Sequence, residues 1–121
     1  MGAVVLFALL AAATPSAPDG RQVFERCYAC HSVDPKEQRL PGPNLAGVLG
    51  RRAAALEGFE YSDAMRRAGA RGLTWTEATL NRFLADPEAV APGTEMFMPP
   101  LRNPADRAAL IKYLRSLEPS R

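Results

Sequence analysis

The sequence predicts an all-α domain of a few short helices joined by long irregular connections. Three observations carry that reading. Apolar residues recur at helical spacing in four stretches, no stretch alternates in the manner of a strand, and eleven prolines and nine glycines break the remainder into loops. There are no internal repeats. The 121 residues suffice for one domain. With 47% hydrophobic but only 7% aromatic residues the core is modest, so a large bound group would add substantially to it. A formal charge of +2 is too mild to argue for nucleic-acid binding. Nearly all the positive charge is arginine; the lysines are Lys36 and Lys112.

Residues 1–17 stand apart from the rest. The apolar run Val4 to Ala13, followed by small residues and prolines, resembles a secretory signal peptide, with cleavage after Ala13 or Ala17. The run is shorter than the roughly 20 apolar residues that span a bilayer. A retained membrane anchor is the alternative, because no Lys or Arg precedes the run. On either reading the functional domain, residues 18–121, is expected outside the cytoplasm.

Asp19 is placed to N-cap a first helix that carries Val23, Phe24 and Cys27 and runs into the next motif. Val33 to Asn44 reads as loop, broken at Asp34-Pro35 and Pro41-Gly42-Pro43. Ser62 caps a short helix to Ala68, ending near Gly69. Thr74-Trp75-Thr76-Glu77 reads as a capping box opening a helix with Trp75, Leu80, Phe83 and Leu84 on its apolar face. That helix stops before Asp86-Pro87. Pro92 to Pro100 is a loop bearing Met96 and Met98. Asn103-Pro104 starts the last helix, whose stripe is Leu110, Ile111, Tyr113, Leu114 and Leu117.

The chemistry gathers in Cys27-Tyr28-Ala29-Cys30-His31, which holds both cysteines and the one histidine. On a helix these three share a face. That layout suits a planar group taking two thioether bonds and one axial nitrogen, so C-x-x-C-H reads as c-type haem attachment, with His31 on iron. A structural zinc site would want a fourth ligand. A thioredoxin-like pair would want a flanking βαβ pattern, which is missing. A structural disulfide is also compatible with an exported chain. Without a second histidine, the other axial ligand would be a thioether or an open position. Met65 sits on a helical pattern and reads as packing. Met96 and Met98, in a proline-bounded loop, are the candidates, and bare residues do not choose between them.

Ordered matches then make a resemblance specific. Gly20 to His31, Gly42-Pro43-Asn44-Leu45-Ala46-Gly47, Gly50-Arg51, Gly58 to Ala64, Gly72 to Trp75, Pro92 to Met96 and Leu110 to Leu114 follow one another as in class I cytochromes c. The chain resembles the mitochondrial and bacterial periplasmic type over nearly all of residues 19–117. The resemblance implies a small cytochrome c fold, three to five helices and long loops around one covalent haem c on Cys27 and Cys30. It implies His31 and Met96 as axial ligands, with the Pro43 carbonyl on the second nitrogen of His31. Arg51, Tyr61 and Trp75 would bond the propionates, Thr94 would line the methionine loop, and Gly20 would let the first helix cross the last against Tyr113.

Three departures stand out: Met65 where the family often has asparagine, Phe83 where a tyrosine hydroxyl approaches the sulfur, and arginine in place of a lysine ring. The implied function is that of a monomeric periplasmic electron carrier, not an enzyme. It would meet membrane-bound redox complexes transiently, between a quinol-oxidising cytochrome complex and a terminal oxidase. The alternative is a haem-bearing acceptor subunit for one periplasmic dehydrogenase.

Overall fold

The computed structural model describes residues 1–8 and 18–117. Five helices follow in order: α1 Gly20–Phe24, α2 Asp63–Ala70, α3 Glu77–Ala85, α4 Pro87–Val90 and α5 Pro104–Ser116. The fold is all-α; the extended pairing among the described residues is a single bridge between Arg52 and Thr74. The expected signal or anchor segment lies partly outside the described residues. Residues 1–8 have no regular structure and leave Val4 to Phe7 exposed. Among the described residues no helix is long and apolar enough to cross a membrane.

Local signals explain most of the helix starts. Asp19, Ser62 and Asn103 each accept a backbone N–H of the first turn, at 3.0, 3.2 and 2.9 Å. Pro104 follows Asn103 at N1, where its missing N–H leaves nothing unsatisfied.

Three boundaries differ from expectation. Helix α1 stops at Phe24, and the cysteine motif lies in turns: Cys27 N–H bonds the Phe24 carbonyl at 2.7 Å, and Cys30 and His31 both bond the Cys27 carbonyl. The motif residues other than Ala29 are indifferent helix formers, and this stretch is fixed by the loop packed over it instead. Helix α3 starts two residues late. Thr74 and Trp75 are drawn into pairing with residues 50–53, through Trp75 N–H to Arg51 O at 2.9 Å and Ala53 N–H to Leu73 O at 2.8 Å. Thr76 is therefore the cap, and Thr79 stands where the capping box wants its reciprocal partner, its hydroxyl accepting Thr76 N–H at 2.8 Å. Trp75 lies ahead of the helix. The third difference is α4, capped by Asp86 and opened by Pro87.

The core joins Val23 and Phe24 of α1, Leu80, Phe83 and Leu84 of α3, and Leu110, Ile111 and Leu114 of α5, with Val48, Trp75 and Leu101 from the loops. Helices α1 and α5 cross at Gly20. A Cβ there would overlap the Ala109 carbonyl oxygen and sit 2.7 Å from Tyr113 Cβ. Phe24 and Tyr113 stack at a tilt beside the crossing, 5.8 Å between centroids, and Arg26 pairs with Asp106 at 3.3 Å. Arg107 of α5 bonds Asn81 of α3 and the carbonyls of Leu101 and Arg102, pinning the far end of the methionine loop.

Candidate cofactor site

The cysteine motif and the loop after it form one hydrogen-bonded unit. Gly42 N–H donates to the Cys30 carbonyl at 2.7 Å, and Leu45 N–H to that of Ser32 at 2.8 Å. This brings the Pro43 carbonyl to 2.8 Å from Nδ1 of His31. A carbonyl only accepts, so Nδ1 carries the hydrogen and Nε2 keeps its lone pair. Burial lowers the His31 pKa, and the Pro43 bond raises it less. The imidazole is thus held neutral, the form that binds a metal. Gly42 has to be glycine for the ring to fit: a Cβ would lie 2.5 Å from Cε1 and 2.7 Å from Nδ1.

Cys27 is half-buried and Cys30 exposed, and the two are free thiols. Burial pushes the Cys27 thiol above its usual value; Arg26 opposes this and Cys30 adds to it. Two free thiols three residues apart, followed by an imidazole with an open Nε2 in a cradle a methyl would fill, match what a haem c requires.

Asn44 locks that cradle and was not singled out by sequence reasoning. Buried at 7% exposure, its amide nitrogen donates to the carbonyls of Asp34 and Glu37 at 2.6 and 2.9 Å, while its Oδ1 accepts Ala46 N–H. A polar residue of turn type directly after Pro41-Gly42-Pro43 was the available signal.

Arg51 is tied to the same loop, its two terminal nitrogens donating to the carbonyls of Asn44 and Ala46 at 2.9 and 2.7 Å. Two of its five N–H groups are thus engaged with backbone. Backbone pairing sets Arg51 beside Trp75, which is buried against Phe83 with ring centroids 5.0 Å apart. Tyr61 is held separately, ahead of α2: its hydroxyl accepts Leu56 N–H at 3.3 Å and its ring meets Phe59 edge-on.

The methionine loop is anchored at both ends. Gly93, at φ +86°, donates its N–H to the Glu88 carboxylate at 2.8 Å, and Thr94 N–H bonds the Ala91 carbonyl. The Thr94 hydroxyl accepts Met96 N–H at 3.3 Å, and Leu101 N–H closes onto the Leu84 carbonyl. Met96 is half-buried and packs against the core cluster, as do Cys27 and Met65. Met98 is half-buried as well, and Phe97 between the two methionines is 93% exposed. The motif and the loop thus converge on one apolar core. Glu88 was another residue that sequence reasoning missed, because a carboxylate five residues before a glycine follows no familiar cap pattern.

The family model for cytochrome c matches residues 17–118. Cytochrome c2 iso-2 of Magnetospirillum fulvum is 50% identical over 99 residues, 82% of this chain and 99% of that protein. Cytochrome c2 of Rhodomicrobium vannielii is 43% identical, covering 94% of this chain and 89% of its own. Among solved structures, cytochrome c2 from Rhodospirillum centenum superposes with a TM-score of 0.76 at 34% identity, over 83% of this chain and 96% of that one. Cytochrome cH from Methylobacterium extorquens gives 0.74 at 36% identity, over 84% and 99%.

Proposed function

The chain belongs to the cytochrome c family, an electron carrier with one covalently attached haem c, and from that premise we propose a His/Met-ligated periplasmic shuttle. It carries electrons from a quinol-oxidising cytochrome complex to a terminal oxidase or similar acceptor, without turning over a substrate. When bound, the haem supplies a one-electron ferric–ferrous couple. Cys27 and Cys30 would hold it by thioether bonds, and His31 Nε2 and the Met96 sulfur would ligate its iron.

One observation carries the reading: the 2.8 Å contact from His31 Nδ1 to the Pro43 carbonyl, seated over Gly42. It fixes the tautomer, aims Nε2 and raises its basicity. Thr94 steadies the backbone of Met96, and the packing of Met96 against the core supports it over Met98. Arg51, Tyr61 and Trp75 keep donors for the propionates: Arg51 has three N–H groups beyond those on Asn44 and Ala46, and the Tyr61 hydroxyl, accepting from Leu56, still has its hydrogen to give.

Paired variants test the ligand assignment. In the ferric holoprotein Met96→Ala should abolish the weak sulfur–iron charge-transfer absorption and lower the potential, whereas Met98→Ala should keep the absorption. The opposite pattern would assign the ligand to Met98.

A further inference from the structure

Phe97 is 93% exposed, with Tyr28 at 66% the large apolar side chains outside residues 1–8 that the described protein leaves to water. Burying such a ring would stabilise the fold, and the chain forgoes it one residue from Met96. The presentation is firm rather than slack. Pro99 and Pro100 restrict the backbone after the patch, and the Glu88–Gly93 and Leu101–Leu84 bonds hold the loop at either end.

The segment that bears this face has a sign opposite to that of the chain as a whole. Between residues 86 and 102 stand Asp86, Glu88 and Glu95, all exposed, against Arg102 alone, in a chain of formal charge +2. Arg66 and Arg67 of α2 approach from one side, Arg67 Nη2 lying 3.9 Å from where a Gly93 Cβ would be. Asp63 and Glu60 offset them: Asp63 holds Arg66 at 2.8 Å, and Glu60 and Glu95 add to the same field. Asp86, Glu88 and Glu95 form no ion pair among the described residues, although Glu95 lies within the field of Arg66. Asp86 and Glu88 bond backbone N–H groups through one oxygen, and those bonds leave their charge in place.

We propose that this face, Phe97 within a rim of Asp86, Glu88 and Glu95, docks a redox protein that presents lysine or arginine around an apolar contact. The proposal rests on the electron-carrier reading, and adds the polarity of the partner to it. Exposed charges steer the encounter and set its rate, while a small apolar centre lets the complex part again. Negative lipid would be repelled by the same rim.

The test uses ferrous holoprotein and two small oxidants of opposite charge, tris(phenanthroline)cobalt(III) as the cation and ferricyanide as the anion, in stopped flow across ionic strength. The cobalt complex, cationic and aromatic, should react more slowly as salt rises. Glu95→Lys should slow it on the order of ten-fold at low salt, with the opposite effect on ferricyanide. Glu37→Lys changes the total charge equally, in the loop after the cysteine motif, and should alter both rates far less. Phe97→Ser should slow the cobalt complex at every salt concentration without changing the salt slope.

A wild-type rate with the cation that rises with salt, or equal effects of Glu95→Lys and Glu37→Lys, overturns the proposal. So does a dimer in sedimentation that Glu95→Lys dissociates, since the face would then belong to a second copy. Failure of both oxidants to take an electron would instead strike the carrier reading itself.

Discussion

Replacing Gly42 by alanine tests whether the cradle holds the imidazole. The new Cβ would stand 2.5 Å from Cε1 and 2.7 Å from Nδ1 of His31, where carbon atoms rest at about 3.5–4.0 Å. Ring or loop must therefore move by about 1 Å, which stretches the 2.8 Å bond to Pro43 beyond hydrogen-bonding reach. Overpacking costs about 1–3 kcal/mol and the lost bond about 0.5–1.5, so the variant should lose about 1.5–4.5 kcal/mol in guanidinium unfolding of the holoprotein. A less basic imidazole favours ferric iron less, so the reduction potential should rise as well. Gly47→Ala is the control: nothing lies within 4 Å of its Cβ, but φ is +69°. Strain of about 1–2 kcal/mol should appear there without a change in potential. If Gly42→Ala unfolds within about 0.5 kcal/mol of wild type and keeps its potential, the Gly42 segment does not position His31.

Two further substitutions probe the supports around the site. Gly20→Ala meets backbone on the far side, the Ala109 carbonyl, so α1 and α5 must separate; unfolding by denaturant should register a loss of about 3 kcal/mol while the sulfur–iron absorption persists in the folded protein. Glu88→Leu removes the acceptor of Gly93 N–H, and the absorption should then be lost at lower temperature; Glu88→Gln, which keeps an amide oxygen there, should hold the wild-type value, and identical melting of both variants would show the contact to be idle.

What the sequence disclosed divides along the line between local and distant interactions. Asp19, Ser62 and Asn103 cap within three residues, so the starts of α1, α2 and α5 could be read directly. Thr74 carries the same kind of signal and failed, because residues 50–53 claim its neighbourhood across more than twenty positions. Helix α4 was missed for another reason. Asp86-Pro87 has the same form as Asn103-Pro104, yet after α3 the proline reads as a stop, and it is also the next start. The crossing at Gly20 came from the family resemblance, and the Ala109 carbonyl that enforces it is visible only once α5 is placed against α1.

The site divides the same way. Cys27, Cys30 and His31 announce themselves by spacing, and the Pro43 carbonyl came from the family pattern; the 2.8 Å contact supplies its geometry. Arg51 was assigned to the propionates by the same pattern, and the structure adds an attachment to Asn44 and Ala46 that no spacing rule contains. The reason lies in what does the holding. Most of the bonds that shape this site end on backbone carbonyls of loops, and a carbonyl is present at every residue, so sequence does not mark the one that will be used. Gly42-Pro43 shows how a choice is nevertheless made. Glycine clears the space where a side chain would strike the ring, its N–H fastens the loop to Cys30, and proline then presents an acceptor from a restricted backbone. The two residues that look like mere loop breakers are, in that order, what lets a single histidine be held in one tautomer.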